Sequence, residues 1–179
     1  MSTFESNAPG ASMAPAEPGR LALPLADLHA TEQLASRLAE LLEPGFILFL
    51  SGDLGAGKTT FTRALLRALG FPGRVKSPTF TLLESYELSR FPLYHFDFYR
   101  LASDRAWLDA GFDDLLGGQG VAVIEWPERA AGSLPSADLR LRLEFDPAHG
   151  DDARVAVLEA GSPRGLACLS TLREAGDAC

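Results

Sequence analysis

The chain is poor in thiols, in basic charge and in long apolar runs. Its two cysteines, Cys168 and Cys179, stand eleven residues apart with no His or Cys cluster beside them. That spacing argues against a structural zinc site, and free thiols in a reducing compartment are expected rather than a disulfide. Lys and Arg number 16 against 24 Asp and Glu, a formal net charge of -8. A phosphate backbone demands a basic surface, so the chain is not expected to grip nucleic acid unaided, and any RNA role runs through a partner. No apolar run reaches the roughly 18 residues of a membrane span. The N-terminus has neither the basic start nor the apolar stretch of a signal peptide. A cytoplasmic globular protein is therefore expected. No internal repeat is found, and no N/T-K-x-D stretch occurs, which disfavours a GTPase.

Apolar residues make up 46% of 179 positions, enough for one domain with a sizeable core. Residues 1–19 are rich in Ala, Pro, Ser and Gly and read as a disordered tail. The folded domain is expected over 20–160, with a weakly patterned C-terminal extension over 161–179 that forms a helix or a tail. A first strand is predicted at LALPLAD. Thr31 is then read as an N-cap, with Leu34, Leu38, Leu41 and Leu42 at helical spacing behind it, and Pro44-Gly45 ends that helix. The run Phe46–Leu50 suits a strand buried on both faces of a helix-covered sheet. A second helix follows, with Phe61, Ala64, Leu65, Ala68 and Leu69 on its core face and Arg63 and Arg67 on the other. Further strands are predicted at Thr79–Glu87, Leu93–Phe98, Val121–Trp126, Leu139–Phe145 and Arg154–Leu158, with a short helix at Ser103–Ala110. The turn before Pro92 implies an antiparallel portion. The fold class is α/β: a three-layer P-loop fold with a central, mostly parallel sheet and helices on both faces.

Between the apolar strand and the second helix lies Gly52-Asp53-Leu54-Gly55-Ala56-Gly57-Lys58-Thr59, an ungapped G-x-x-x-x-G-K-[ST]. Glycines let backbone N–H groups converge on a phosphate that a Cβ would keep away, and the helix start adds its positive dipole end. Lys58 is expected to reach the β and γ phosphates of ATP. Thr59 is expected on Mg²⁺ and Thr60 toward the α phosphate.

Such a site needs a second acidic group. Glu125 closes the apolar run Val121–Ile124, and Asp97 lies in Tyr94-His95-Phe96-Asp97-Phe98-Tyr99-Arg100-Leu101; strand ends at the carboxyl edge of an α/β sheet are where ligands bind. Asp97 also fits an N-cap or an ion pair with Arg100. Trp126 suits a place against the nucleotide and a place in the core about equally. Ser77-Pro78-Thr79 reads as a loop sensing the γ phosphate. His95, among aromatics, reads as a core histidine, and Arg129 as a transition-state cation or a surface ion pair. Leu116–Gln119 is similar to the LSGGQ signature of transporter ATPases, but lacks its Ser and is followed at once by a strand.

Taken together, GDLGAGKTT (Gly52–Thr60), SPTFTL (Ser77–Leu82), YHFDFYRL (Tyr94–Leu101) and IEWPER (Ile124–Arg129) resemble the bacterial TsaE (YjeE) family, in that order and spacing and across roughly Leu21 to Leu158. The resemblance implies a weak ATPase needed to form threonylcarbamoyladenosine at position 37 of tRNAs that read ANN codons. It implies TsaB and TsaD as partners, hydrolysis that resets their complex, and tRNA met only through that complex. It implies ATP and Mg²⁺ as cofactors: Thr59 and Glu125 on the metal with Asp97 close by, and Gly55, Ala56, Gly57, Lys58, Thr59 and Thr60, with Leu54, around the phosphates. It further implies Thr31 near the adenine and Trp126 beside the site. Arg154 stands where the family often has a basic residue that approaches the nucleotide. No arginine finger is evident, so slow hydrolysis in isolation is expected. The competing readings are a small P-loop kinase, for which Ala102–Gly118 offers only Arg105 as lid, and a nucleotide-gated binding module.

Overall fold

The computed structural model describes residues 19–78 and 80–174; the tail reading for 1–18, Thr79 and Cys179 lie outside them. Seven strands form one sheet in the order β1-β7-β6-β2-β5-β4-β3. They are β1 (Arg20–Leu25), β2 (Ile47–Ser51), β3 (Leu83–Tyr86), β4 (Leu93–Asp97), β5 (Val121–Glu125), β6 (Leu139–Phe145) and β7 (Arg154–Ala160). The four central strands β6, β2, β5 and β4 are parallel. Antiparallel pairs flank them, β3 on β4 at one side and β7 then β1 at the other. Pro24 fits in β1 because that strand is an edge, where a missing N–H breaks no ladder on the open side.

Alternation along the central strands divides the core. Leu48 and Leu50 of β2 and Val121 and Val123 of β5 face one layer, built from α1 (Leu28–Leu41), α2 (Lys58–Ala68) and α4 (Pro163–Glu174). Ile47, Ala122 and Ile124 face the other, where the short α3 (Ala106–Asp109) brings Trp107 onto Phe98. Both faces of β2 and β5 are thus covered, which is why these strands read as unbroken apolar runs.

Three expectations are revised. Thr31 does not cap α1. The cap is Asp27, whose Oδ1 accepts from the Ala30 amide at 2.8 Å; Thr31 lies within the first turn and donates its hydroxyl to the Asp27 carbonyl at 3.3 Å. An aspartate satisfies an orphan N–H of the first turn as a threonine would. The strand expected from Thr79 begins only at Leu83. The Thr81 and Leu82 amides both donate to the Pro78 carbonyl, and Leu82 is left-handed at φ 63, so these groups are spent on a turn. The helix expected over Ser103–Ala110 shrinks to one turn, Ala106–Asp109: its first residues form a turn in which the Ala106 amide donates to the Ser103 carbonyl at 3.1 Å, and Gly111 at φ 74 stops it at the other end.

Residues 163–174 form α4, whose Cys168, Leu169 and Leu172 belong to the main core. Asp138, at the entry to β6, fastens this helix to the sheet. Its Oδ2 accepts from the Ile47 amide at 2.9 Å and from Arg164 Nη2 at 3.0 Å, and its Oδ1 from the Ser162 hydroxyl at 2.6 Å. Truncating it leaves the buried Ile47 amide without its acceptor and Arg164 without its carboxylate, though Arg164 keeps the Pro44 and Gly45 carbonyls. Asp138→Ala is expected to lower unfolding free energy by about 2–4 kcal/mol, as read by denaturant titration. Burial pushes the Cys168 thiol up to about 11, so at pH 8 it stays protonated and unreactive. Peptide-resolved alkylation should label Cys168 slowly in the native protein and quickly after denaturation; equal labelling would refute its burial.

Candidate phosphate-binding site

Parallel pairing brings the strand ends together. Leu50 is in register with Glu125, and Glu125 with Asp97, so the loop after β2 and two carboxylates share one edge of the sheet. The loop is strongly bent: Gly52, Gly55 and Gly57 all have positive φ, at 131, 82 and 109. At Gly52 a Cβ would come 2.3 Å from the Leu143 carbonyl oxygen, so glycine is required there by conformation and by space.

Lys58 opens α2. Its ammonium turns back along the loop, donating to the Gly52 carbonyl at 2.7 Å and to the Asp53 carbonyl at 2.9 Å. It also lies 3.9 Å from the centroid of the Trp126 ring, within cation–π range. Burial holds this ammonium below the ordinary lysine value, against the opposite pull of Glu125, Glu128, Asp97 and Asp53.

Glu125 is 2% exposed, and both its oxygens are engaged. Oε2 accepts from the Thr59 hydroxyl at 3.1 Å, and Oε1 lies 2.8 Å from His95 Nε2. With the carboxylate as acceptor, Nε2 carries the ring proton; the other nitrogen, Nδ1, is buried without a hydrogen-bond partner among the described residues. Asp97, 4% exposed, accepts the Tyr99 amide at 3.0 Å and turns the chain where β4 ends. Immediately after Glu125, Trp126 adopts φ 57, uncommon for a bulky residue. This abrupt exit from β5 brings the indole to Lys58, and the Tyr99 ring lies 5.0 Å from it, centroid to centroid.

A cavity of about 450 Å³ results. Leu54, Gly55, Gly57, Lys58, Thr59 and Thr60 form its floor, and Asp97, Glu125 and Trp126 one wall. Ser77 closes another side, where a sensing loop was expected. Three expected residues stand outside the lining. Ala56 is 1% exposed, packed into the core beneath the loop. Arg154 supports the loop from behind, Nε donating to the Ala56 carbonyl at 3.3 Å with the guanidinium over Phe145. Thr31 sits in α1. The sequence reading missed Tyr99 and Arg100, which also line the cavity. The signal was present in YHFDFYRL: once Asp97 ends a strand, the next residues must turn along the same edge. Arg100 lies over the exposed Phe80 ring at 4.9 Å, and Arg129 over Tyr99 at 5.8 Å.

The donor set suits a cation that arrives with phosphates. One hydroxyl and two carboxylates face the loop, and among the described residues no group of three or more His, Cys, Asp or Glu is arranged to hold a metal alone. Mg²⁺ favours such partial coordination, completed by phosphate oxygens and water.

Fold and loop together define a P-loop α/β protein. The family model "Threonylcarbamoyl adenosine biosynthesis protein TsaE" matches residues 25–154. The chain is 38% identical over 143 residues to a Haemophilus influenzae protein named tRNA threonylcarbamoyladenosine biosynthesis protein TsaE, covering 77% of this chain and 88% of that one. A Bacillus subtilis protein of the same name is 37% identical, covering 77% and 85%. The crystal structure of Bacillus subtilis YdiB superposes with a TM-score of 0.72 at 31% identity, over 88% of this chain and 96% of that one. The chain belongs to the TsaE family, whose named function is the biosynthesis of threonylcarbamoyladenosine in tRNA. No helix among the described residues is long and apolar enough to cross a membrane.

His95 tests the reading of the carboxylate edge. His95→Ala removes one of the two partners of a buried carboxylate and should cost about 1–3 kcal/mol of stability, measured by urea denaturation. An unchanged midpoint would show that the His95–Glu125 bond is dispensable.

Proposed function

We propose that the chain is a Mg²⁺-dependent ATPase needed to form threonylcarbamoyladenosine at position 37 of tRNAs reading ANN codons. It acts with TsaB and TsaD in the cytoplasm, its hydrolysis resets their complex, and it meets tRNA only through them. The observation that carries the reading is the 3.1 Å bond from Thr59 to the buried Glu125, set against a glycine loop closed by Lys58. The names of the relatives support the tRNA product, and the net charge of -8 supports contact with RNA through partners.

The roles follow from placement. Backbone amides from Gly55 to Thr60 hold the phosphates at the start of α2. Lys58 exchanges its two loop carbonyls for β and γ oxygens, and the Trp126 ring confines its swing. Thr59 and Glu125, with Asp97 close by, hold Mg²⁺, which when bound neutralises charge on the phosphate oxygens. His95 keeps Glu125 turned toward Thr59. Arg154 stiffens the loop from behind through Ala56; a direct contact of Thr31 or Arg154 with the nucleotide rests on the family resemblance alone, since neither lines the cavity. Arg100 is the one guanidinium in the cavity lining among the described residues, and it is engaged on Phe80. Hydrolysis is therefore slow until partners complete the site.

Lys58→Ala should weaken ATP binding at least about 100-fold, since two charge-assisted contacts of about 1.5–3 kcal/mol each are lost. Glu125→Gln should still bind ATP while hydrolysis falls roughly 100-fold. Wild-type turnover should rise at least about tenfold with TsaB–TsaD present; equal rates would refute partner dependence. A Glu125→Gln strain with normal threonylcarbamoyladenosine in its tRNA would make hydrolysis incidental and favour a nucleotide-gated module. Phosphate transfer to an acceptor other than water would favour a kinase.

A further inference from the structure

The segment between α2 and β3 walls two cavities. Ser77 borders the phosphate cavity and also a second one of about 580 Å³, lined by Arg63, Arg67, Arg74 and Lys76. Arg63 and Arg67 lie one turn apart on α2. Arg74 and Lys76 lie on the segment facing them, with Val75 between them turned inward at 7% exposure. That segment is held in place by Tyr86. The Tyr86 hydroxyl donates to the Lys76 carbonyl at 3.1 Å and accepts from the Lys76 amide at 3.2 Å, and the ring packs edge-on to Phe71 at 4.9 Å.

Four cations are thus gathered around one hollow. None of them forms an ion pair with a carboxylate among the described residues, where the side-chain pairs involve other groups. Arg63 and Arg67 at (i, i+4) repel each other, a small cost in isolation. The arrangement runs against the rest of the chain: 16 basic residues less these four leaves 12, against 24 acidic ones. Arginine forks match carboxylates and phosphates equally well, so the extent of the ligand decides between them. An RNA strand carries a charge at every nucleotide and would run on over a surface that is acidic overall, where it is repelled. An acidic peptide segment places a few carboxylates in the cavity and nowhere else.

We propose that this cavity docks an Asp- and Glu-bearing segment of a protein partner, seating it beside the phosphate cavity across Ser77. The proposal rests on the partner-dependent reading above and adds the chemistry of contact. It makes the nucleotide site and the docking site neighbours along a single pinned segment. Partner binding and the state of the phosphates are then linked by a shared wall.

The test compares full-length wild type, Arg67→Glu/Arg74→Glu and Arg67→Lys/Arg74→Lys for binding to purified TsaB–TsaD dimer at low and moderate salt. Neither position touches the phosphate cavity, so ATP affinity should stay within about twofold in both variants. The charge-reversed protein should bind the dimer at least about tenfold more weakly and lose most of the salt dependence, with the Lys variant within about threefold of wild type. Unchanged dimer binding after charge reversal would overturn the proposal. If charge reversal unfolds the chain, single Arg67→Ala and Arg74→Ala variants replace it, each expected to weaken binding about threefold; no weakening overturns it equally. Should wild type fail to bind the dimer, the functional reading falls by itself, and a fluorescein-labelled hexaglutamate peptide decides the cavity. A tenfold loss of peptide binding on charge reversal supports the site, and no peptide binding or no loss removes it. Wild type binding an oligouridylate more tightly than the peptide, with loss in the variant, would make it an RNA site and overturn the protein assignment.

Discussion

The Glu125 carboxylate, buried at the end of a central strand and shared between Thr59 and His95, is the constraint around which the rest of the site is arranged. A carboxylate with 2% exposure is costly unless both oxygens are satisfied. Each partner comes from a different element: Thr59 from the first turn of α2, His95 from the middle of β4. Satisfying one side chain therefore sets the position of the helix start against two strands. The glycine loop is held between its two ends as a consequence.

The sheet supplies the rigidity this needs. β2 and β5 are covered on both faces, one by α1, α2 and α4 and the other by the α3 layer. Their ends do not slide relative to one another, because a one-residue slip would move every apolar side chain to the wrong layer. Asp138 extends the same logic to the far side of β2, where it fastens α4 to the strand that leads into the loop. Around the site, left-handed backbone occurs in the loop, at Gly52, Gly55 and Gly57, and at the sharp exit at Trp126.

Charge follows a similar division. The chain is acidic overall, yet five of its 16 cations stand at two neighbouring places, Lys58 in the loop and the four residues around the second cavity. Ser77 stands between them. A protein of this composition discriminates by position: polyanions are kept off the general surface, and anionic groups are admitted where a built site waits for them.

Much of this was readable from the chain alone. The G-x-x-x-x-G-K-T pattern, the apolar run before it and the amphipathic stretch after it determined a phosphate loop at a strand–helix junction, because those residue types at that spacing serve little else. The run Val121–Glu125 likewise announced a buried strand ending in a carboxylate, and YHFDFYRL a second one ending at Asp97. Tertiary structure alone decided which side chains meet. That His95 partners Glu125, that Tyr99 and Arg100 share the cavity, and that Arg154 reaches the loop from behind all depend on strand order and register. Strand order and register are set by packing across the whole sheet, and no local pattern encodes them. The same holds for Asp27 in place of Thr31 as the cap of α1 and for the turn at Pro78–Leu82: local sequence offers several polar groups able to satisfy the backbone, and the surrounding fold selects among them.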